Sequence, residues 1–156
     1  MSHVSLSRPL AFYTFALIVC IVAFTLLSNV IELPSSSVGV VSLIAATMPA
    51  GQIFYKAAGR LPGRGEKLRF ALLATVIGYV VNFVALAGLF SYYGIPLTLA
   101  GASAVFGIDL VREMNVLVIV LGVATLISIL LTYLFFHLGA KGAQKQAAKL
   151  AAKGRT

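Results

Sequence analysis

The chain has 156 residues, of which 60% are hydrophobic and only 10% are charged. Because a soluble domain carries about 25% charged residues, this composition excludes an ordinary soluble globular protein and indicates an integral membrane protein. The formal net charge of +8 raises the question of nucleic-acid binding, which the distribution of the charges along the chain argues against.

Four long apolar runs predict four transmembrane helices, over 10–31, 38–55, 70–93 and 116–138. Each run is close to the ~20 residues that cross the hydrocarbon core of a bilayer. The connection between the first two runs is only about six residues long, which makes these two helices antiparallel neighbours. The sequence predicts an all-α integral membrane protein: an antiparallel four-helix transmembrane bundle in a single domain over 1–138, followed by a basic tail over 139–156.

The second run contains Pro49, which removes a backbone hydrogen bond and predicts a kink. The kink either shapes helix packing or serves as a hinge. Asn82 lies near the middle of the third run, where an unpaired amide facing lipid would be costly, so we expect it to face the bundle. It acts either as a contact between helices or as a contact for a solute. Tyr79 shares its side of the helix and is the predicted partner.

The segment over 94–115, called the outer segment here, is apolar and rich in glycine, and it is too short for a fifth span. It either lies along the outer interface or folds over the bundle as a cap. Asp109 suits a helix N-terminus, which predicts that the fourth helix begins near Asp109 rather than Val116. Four charged residues form the predicted outer cluster, either a ligand or partner site or a salt-bridge network: Glu32, Asp109, Arg112 and Glu113.

Eleven of the twelve Lys and Arg residues lie before the first run, between the second and third, or after the fourth, and Arg112 is the exception. Lys and Arg resist translocation, so both termini are predicted to be cytoplasmic. In the tail, lysines recur at every fourth residue and cover one side of a helix: Lys141, Lys145, Lys149 and Lys153. The predicted partner of this row is anionic lipid at the inner face, at about 1 kcal/mol per lysine.

Residues that carry chemistry are scarce. No acid or base lies in the middle of a run, which disfavours proton-coupled transport. Two histidines and the single Cys20 do not make a zinc site, which needs about three or four ligands. No nucleophile has a recognisable base beside it, and no phosphate-binding loop follows a strand. The sequence predicts neither an enzyme nor a cofactor or metal site.

The junction between the second and third runs carries a distinctive pattern: Gly51-Gln52-Ile53-Phe54, Gly59-Arg60-Leu61-Pro62 and Glu66-Lys67-Leu68-Arg69-Phe70. It resembles the corresponding junction in a family of small, uncharacterised bacterial inner-membrane proteins with four spans. The resemblance implies a bacterial inner-membrane location and four spans, and it brings no activity. It also marks a candidate cytoplasmic patch of four polar residues: Gln52, Arg60, Glu66 and Arg69.

These observations favour a non-enzymatic accessory or interaction subunit of a membrane complex. The alternative is a small oligomeric transporter or channel subunit for a neutral or anionic solute, working around Asn82 and the break at Pro49. The expected partners are the lipid bilayer and either another membrane protein or further copies of the chain, but no nucleic acid.

Overall fold

The computed structural model describes residues 5–28 and 35–153, and within these ranges it contains helices and no strand. The helices are α1 (Ser7–Ser28), α2 (Ser35–Ala58), α3 (Arg64–Tyr92), α4 (Leu99–Phe106) and α5 (Met114–Lys153). The all-α prediction is therefore confirmed for the described chain. By length and composition, three of these helices can cross a membrane: α1, through Ser7–Phe24, α3 and α5.

Helix α2 is not among those three, although it contains the second predicted span. Its sequence is interrupted by serine, threonine, glycine and proline, and the helix is continuous through Pro49. Part of this polarity is turned inward, since Ser42 is 3% exposed and Thr47 is fully buried. The average hydropathy of α2 is thus lowered partly by side chains that do not face the surroundings.

The four long helices pack in a closed cycle, in which α1 contacts α2, α2 contacts α5, α5 contacts α3, and α3 contacts α1. The α2–α5 interface is the most extensive of the four. Although a short loop joins α2 to α3, these two helices lie diagonally across the cycle. The predicted neighbour relation of the first two helices is confirmed.

Two glycines allow α2 and α5 to approach closely. A Cβ atom at Gly139 would overlap the backbone carbonyl of Met48, and one at Gly51 would overlap the carbonyl oxygen of Phe136. Small residues at such crossings let helix backbones pack directly, which is the main source of helix association where lipid replaces water.

An aromatic cluster, formed by Tyr13, Phe54, Phe70 and Phe136, lies at the centre of the packed part of the chain. Each long helix contributes one of these buried rings. Phe136 stacks on Phe70 with the centroids 4.0 Å apart and meets Phe54 edge-on at 5.6 Å. Tyr13 meets Phe70 edge-on at 5.9 Å. Each such pair stabilises the packing by about 0.5–1.5 kcal/mol beyond area burial.

The outer segment forms its own small unit, because α4 contacts none of the four long helices. Thr98 caps α4 by accepting a hydrogen bond from the Gly101 backbone N–H at 3.1 Å, and Gly107 ends it with a φ of 66°. The Ser103 hydroxyl accepts from the Leu110 backbone N–H at 3.1 Å and ties α4 to the following turn. The described outer segment is therefore not a cap folded over the helices.

The prediction that the last long helix begins near Asp109 is wrong, since α5 begins at Met114. Asp109 instead organises the turn that precedes α5. Its carboxylate accepts from the backbone N–H groups of Val111 at 3.2 Å and Arg112 at 3.1 Å. This is the bonding pattern of a helix N-cap, and the Asp109 carbonyl also accepts from the Glu113 backbone N–H at 2.9 Å, so Asp109 begins a single turn that leads into α5.

Helix α5 has 40 residues and is continuous through Gly139 and Gly142 to Lys153. At 1.5 Å per residue it is about 60 Å long, roughly twice the thickness of a bilayer's hydrocarbon core. Gly139, Ala140 and Ala143 are still buried, and every described residue from Gln144 onward is exposed. The basic tail is thus an extension of the last helix.

Candidate functional site

A cleft of about 340 Å³ lies between the four long helices. All four contribute to its wall, with Leu17 from α1, Leu43 from α2, Gly78 from α3 and Leu121 from α5. None of its lining residues is charged. The cleft is therefore an apolar space with a few neutral polar groups, which are the features that set its chemistry.

The cleft and the aromatic cluster occupy successive levels along the helices. Along the chain, α1 and α3 pass the aromatic cluster first and the cleft second, whereas α2 and α5 pass the cleft first and the cluster second. The pairs that show this order are Tyr13 and Leu17, Phe70 and Asn82, Leu43 and Phe54, and Leu121 and Phe136. Helices α1 and α3 therefore run in one direction and α2 and α5 in the other.

Tyr79 and Asn82 both line the cleft, but they are not partners. The Asn82 side-chain amide donates to the backbone carbonyl of Gly78 at 2.8 Å. The Tyr79 hydroxyl lies 2.5 Å from Oγ1 of Thr125, which itself donates to the carbonyl of Leu121 at 2.6 Å. Because the single threonine proton is used in that bond, Tyr79 donates to Thr125 and links α3 to α5. The predicted Tyr79–Asn82 pair is replaced by a contact between helices.

Tyr13 is the polar cleft residue that sequence reasoning missed. The residue is only 2% exposed, and its hydroxyl forms no hydrogen bond with any part of the chain that the structure describes. The hydroxyl faces the cleft, 3.7 Å from where a Cβ at Gly78 would lie. The signal was available in principle, since a phenol inside an apolar run needs a polar partner.

Arg60 and Glu66 form an inner clip across the loop between α2 and α3. The guanidinium donates to both carboxylate oxygens, at 2.8 and 2.7 Å, and lies over the Phe54 ring at 5.9 Å. Glu66 also accepts from the Gly63 backbone N–H at 2.8 Å and thereby caps α3. The hydrogen bond to Glu66, followed by the charge of its carboxylate, raises the pKa of Arg60 above its ordinary value. The clip therefore fixes the start of α3 directly after Gly63.

The other two residues of the predicted inner patch do not join this clip. Gln52 is half-buried and Arg69 is exposed, whereas the ion pair of the clip joins Arg60 to Glu66. The structure thus brings together two of the four patch residues.

The junction pattern that resembles a family of bacterial inner-membrane proteins falls largely on residues that pack the helices together. Gly51 permits the close approach of α2 to α5, and Phe54 and Phe70 belong to the aromatic cluster. Gly59 has a φ of 65° and ends α2, where its N–H donates to the Tyr55 carbonyl at 2.8 Å. The pattern therefore has a structural explanation, because its residues join α2, α3 and α5.

The predicted outer cluster is only partly described, because Glu32 lies outside the described residues. Asp109, Arg112 and Glu113 are exposed in one turn, and the Arg112 guanidinium pairs with neither acid. Within the described ranges no group of three or more His, Cys, Asp or Glu residues is placed to hold a metal ion.

The four tail lysines lie on the last turns of α5, in the part called the basic stalk here, residues 139–153. The stalk contains no acidic residue, and its four lysines are exposed. It presents positive charge along one side of a helix that leaves the packed region.

No known protein family, curated protein or solved structure matches this chain. The functional argument therefore rests on the cleft, the inner clip and the basic stalk.

Proposed function

We propose that the chain is a four-span protein of a bacterial inner membrane with both termini in the cytoplasm. Three apolar helices of sufficient length, the alternating helix directions and the one-sided distribution of Lys and Arg support this arrangement. Helix α2 serves as the remaining span. It packs between α1 and α5 and directs Ser42 and Thr47 inward, which limits the polar surface that it presents to lipid.

In this membrane the protein acts as a non-enzymatic accessory or interaction subunit of a membrane complex. The basic stalk is the observation that carries this function. If the hydrocarbon core ends near Leu138, the helix extends about 22 Å further to Lys153. The headgroup layer on each side is only about 5–7 Å thick. Lys141 and Lys145 then lie at or near anionic lipid headgroups, whereas Lys149 and Lys153 reach beyond them toward an acidic surface of a partner protein.

The cleft supports a second candidate, a transporter or channel subunit for a neutral solute that contacts Asn82. In the described structure the stacked rings of Phe70 and Phe136 close the helix packing directly below the cleft. A path through the chain would need these helices to separate, or a pore between several copies. The stalk needs no such rearrangement, so the interaction subunit is the function that the geometry supports better.

Removing charge from one end of the stalk at a time distinguishes its contact with lipid headgroups from its contact with a partner protein. We expect Lys149→Gln with Lys153→Gln to lower recovery of the partner complex from mild detergent by about thirtyfold, since two lysines contribute about 2 kcal/mol when each contributes the roughly 1 kcal/mol that it gains at an anionic lipid surface. Binding of the reconstituted protein's stalk to anionic vesicles should change less. The measurement is quantitative co-purification at low and high salt, because an electrostatic contact weakens with salt.

The matched control replaces Lys141 and Lys145 by glutamine, which removes the same charge closer to the membrane. This variant should lose vesicle binding and keep the partner. Isolation of the wild-type protein as a lone monomer under all mild conditions, or equal loss of the partner in both variants, would contradict the proposed function.

A further inference from the structure

The cleft contains polar atoms that the described chain leaves unused. The Tyr13 hydroxyl has no hydrogen-bond partner among the residues that the structure describes, although Tyr13 is only 2% exposed. The Ser128 hydroxyl also lines the cleft without a partner among the described residues, and the Asn82 side-chain oxygen accepts no hydrogen bond from them. A hydroxyl in apolar surroundings is costly unless it is paired, so these atoms mark positions where a bound molecule gains hydrogen bonds.

The shape and charge of the cleft restrict what that molecule is. A cavity of about 150 Å³ accommodates benzene, so the cleft of about 340 Å³ accommodates a compact molecule of one or two rings. Its walls carry no charge, which disfavours an ion. The Tyr13 hydroxyl lies beside the aromatic cluster and can donate a hydrogen bond to an acceptor oxygen on the ligand.

We propose that the cleft binds a compact, neutral, lipid-soluble ligand whose carbonyl oxygen accepts a hydrogen bond from Tyr13, as a ketone or quinone ring would. Ser128 and Asn82 pair with a second polar group on the same ligand. A lipid acyl chain fills the same space but leaves all three polar groups unpaired. The proposal rests on the cleft and does not depend on the partner proposed for the stalk.

A butyl-substituted benzophenone is a suitable probe, because it is neutral, carries a carbonyl between two rings and crosslinks to nearby C–H bonds on irradiation. The full chain in lipid nanodiscs is titrated with the probe, irradiated and mapped by mass spectrometry. We expect saturable labelling concentrated at Leu17, Leu43 and Leu121, which belong to three different helices. Labelling that does not saturate, or that is spread evenly over the exposed leucines and valines, overturns the proposal and assigns the cleft to bulk lipid or water.

Two variants test the site by filling it. Gly39 lines the cleft, and a Cβ there meets nothing within 4 Å, so Gly39→Leu should reduce saturable labelling at least about tenfold by occupying the space. Gly122→Leu is the matched control, because Gly122 is equally open but lies outside the cleft. Ala124→Phe fills the cleft from α5 and should have the same effect if Gly39→Leu does not fold. Labelling at the wild-type level in a folded filling variant overturns the proposal.

Tyr13→Phe tests the hydrogen bond, because it removes one oxygen and keeps the ring in the aromatic cluster. Loss of a single hydrogen bond should raise the half-saturating probe concentration about two- to tenfold. Tyr55→Phe, at a tyrosine outside the cleft, should leave it unchanged. Equal half-saturation of wild type and Tyr13→Phe overturns the assignment of Tyr13 as the donor and with it the proposal.

Discussion

Gly139→Ala is expected to destabilise the protein by about 2–3 kcal/mol, the upper range for overpacking a well-packed site. The added methyl group would overlap the backbone of Met48, which cannot turn aside as a flexible side chain would. Because the α2–α5 interface is the most extensive contact between helices, the two helices must move apart to admit it. Reversible unfolding in mixed detergent micelles, followed by far-UV circular dichroism, measures the change.

Gly142→Ala provides the control three residues along the same helix. A Cβ atom there meets nothing within 4 Å, so this variant should be unchanged or more stable by up to about 1 kcal/mol, from the higher helix propensity of alanine. Equal stability of the two variants would show that the close approach of α2 and α5 does not hold the fold together.

Phe136→Ala is expected to cost about 3–4 kcal/mol of stability. The ring stacks on Phe70 and meets Phe54 edge-on, so its removal breaks contacts with α3 and α2 at once. In a bilayer little of this loss is hydrophobic transfer, since lipid is itself apolar, and most is lost packing. The same unfolding experiment measures it.

Phe83→Ala removes an identical side chain from a position that is 61% exposed. Its effect should lie within about 0.5 kcal/mol, as for most substitutions away from packed sites. If the two variants were equally destabilised, the aromatic cluster would not be the centre of the packing.

The sequence predicted the helical class and the approximate positions of the long helices, but not where the helices end. Hydropathy reports where lipid lies, whereas helix ends depend on caps and turns. Helix α3 begins at Arg64, before the apolar run, because Glu66 caps it at Gly63. Helix α5 continues past the last apolar run to Lys153 without a break at Gly139 or Gly142; the alanine, lysine and glutamine of the tail indicated a helix there, but not whether it would be interrupted at these glycines.

The candidate site was predictable to a smaller extent. The cost of an amide in lipid predicted that Asn82 faces other helices; the residue lines the cleft but is exposed, and its amide donates to Gly78 of its own helix. The partner of Tyr79 was beyond prediction, because Thr125 is distant in sequence and only the helix packing brings it near. The sequence marked Tyr13 only as a phenol that needs a polar partner, because its position between the aromatic cluster and the cleft depends on how three other helices surround it.

The central claim, four spans with both ends in the cytoplasm, is tested most directly by reporter fusions in intact cells. The proposed arrangement places Ser36 and Thr98 between spans on the outer side, and Gly63 and Thr156 on the cytoplasmic side. Reporters at Ser36 and Thr98 should be active outside the membrane, and those at Gly63 and Thr156 inside. Because α2 is the long helix not counted among the described candidate spans, the pair at Ser36 and Gly63 is decisive: opposite locations support four spans, and the same location for both would contradict them.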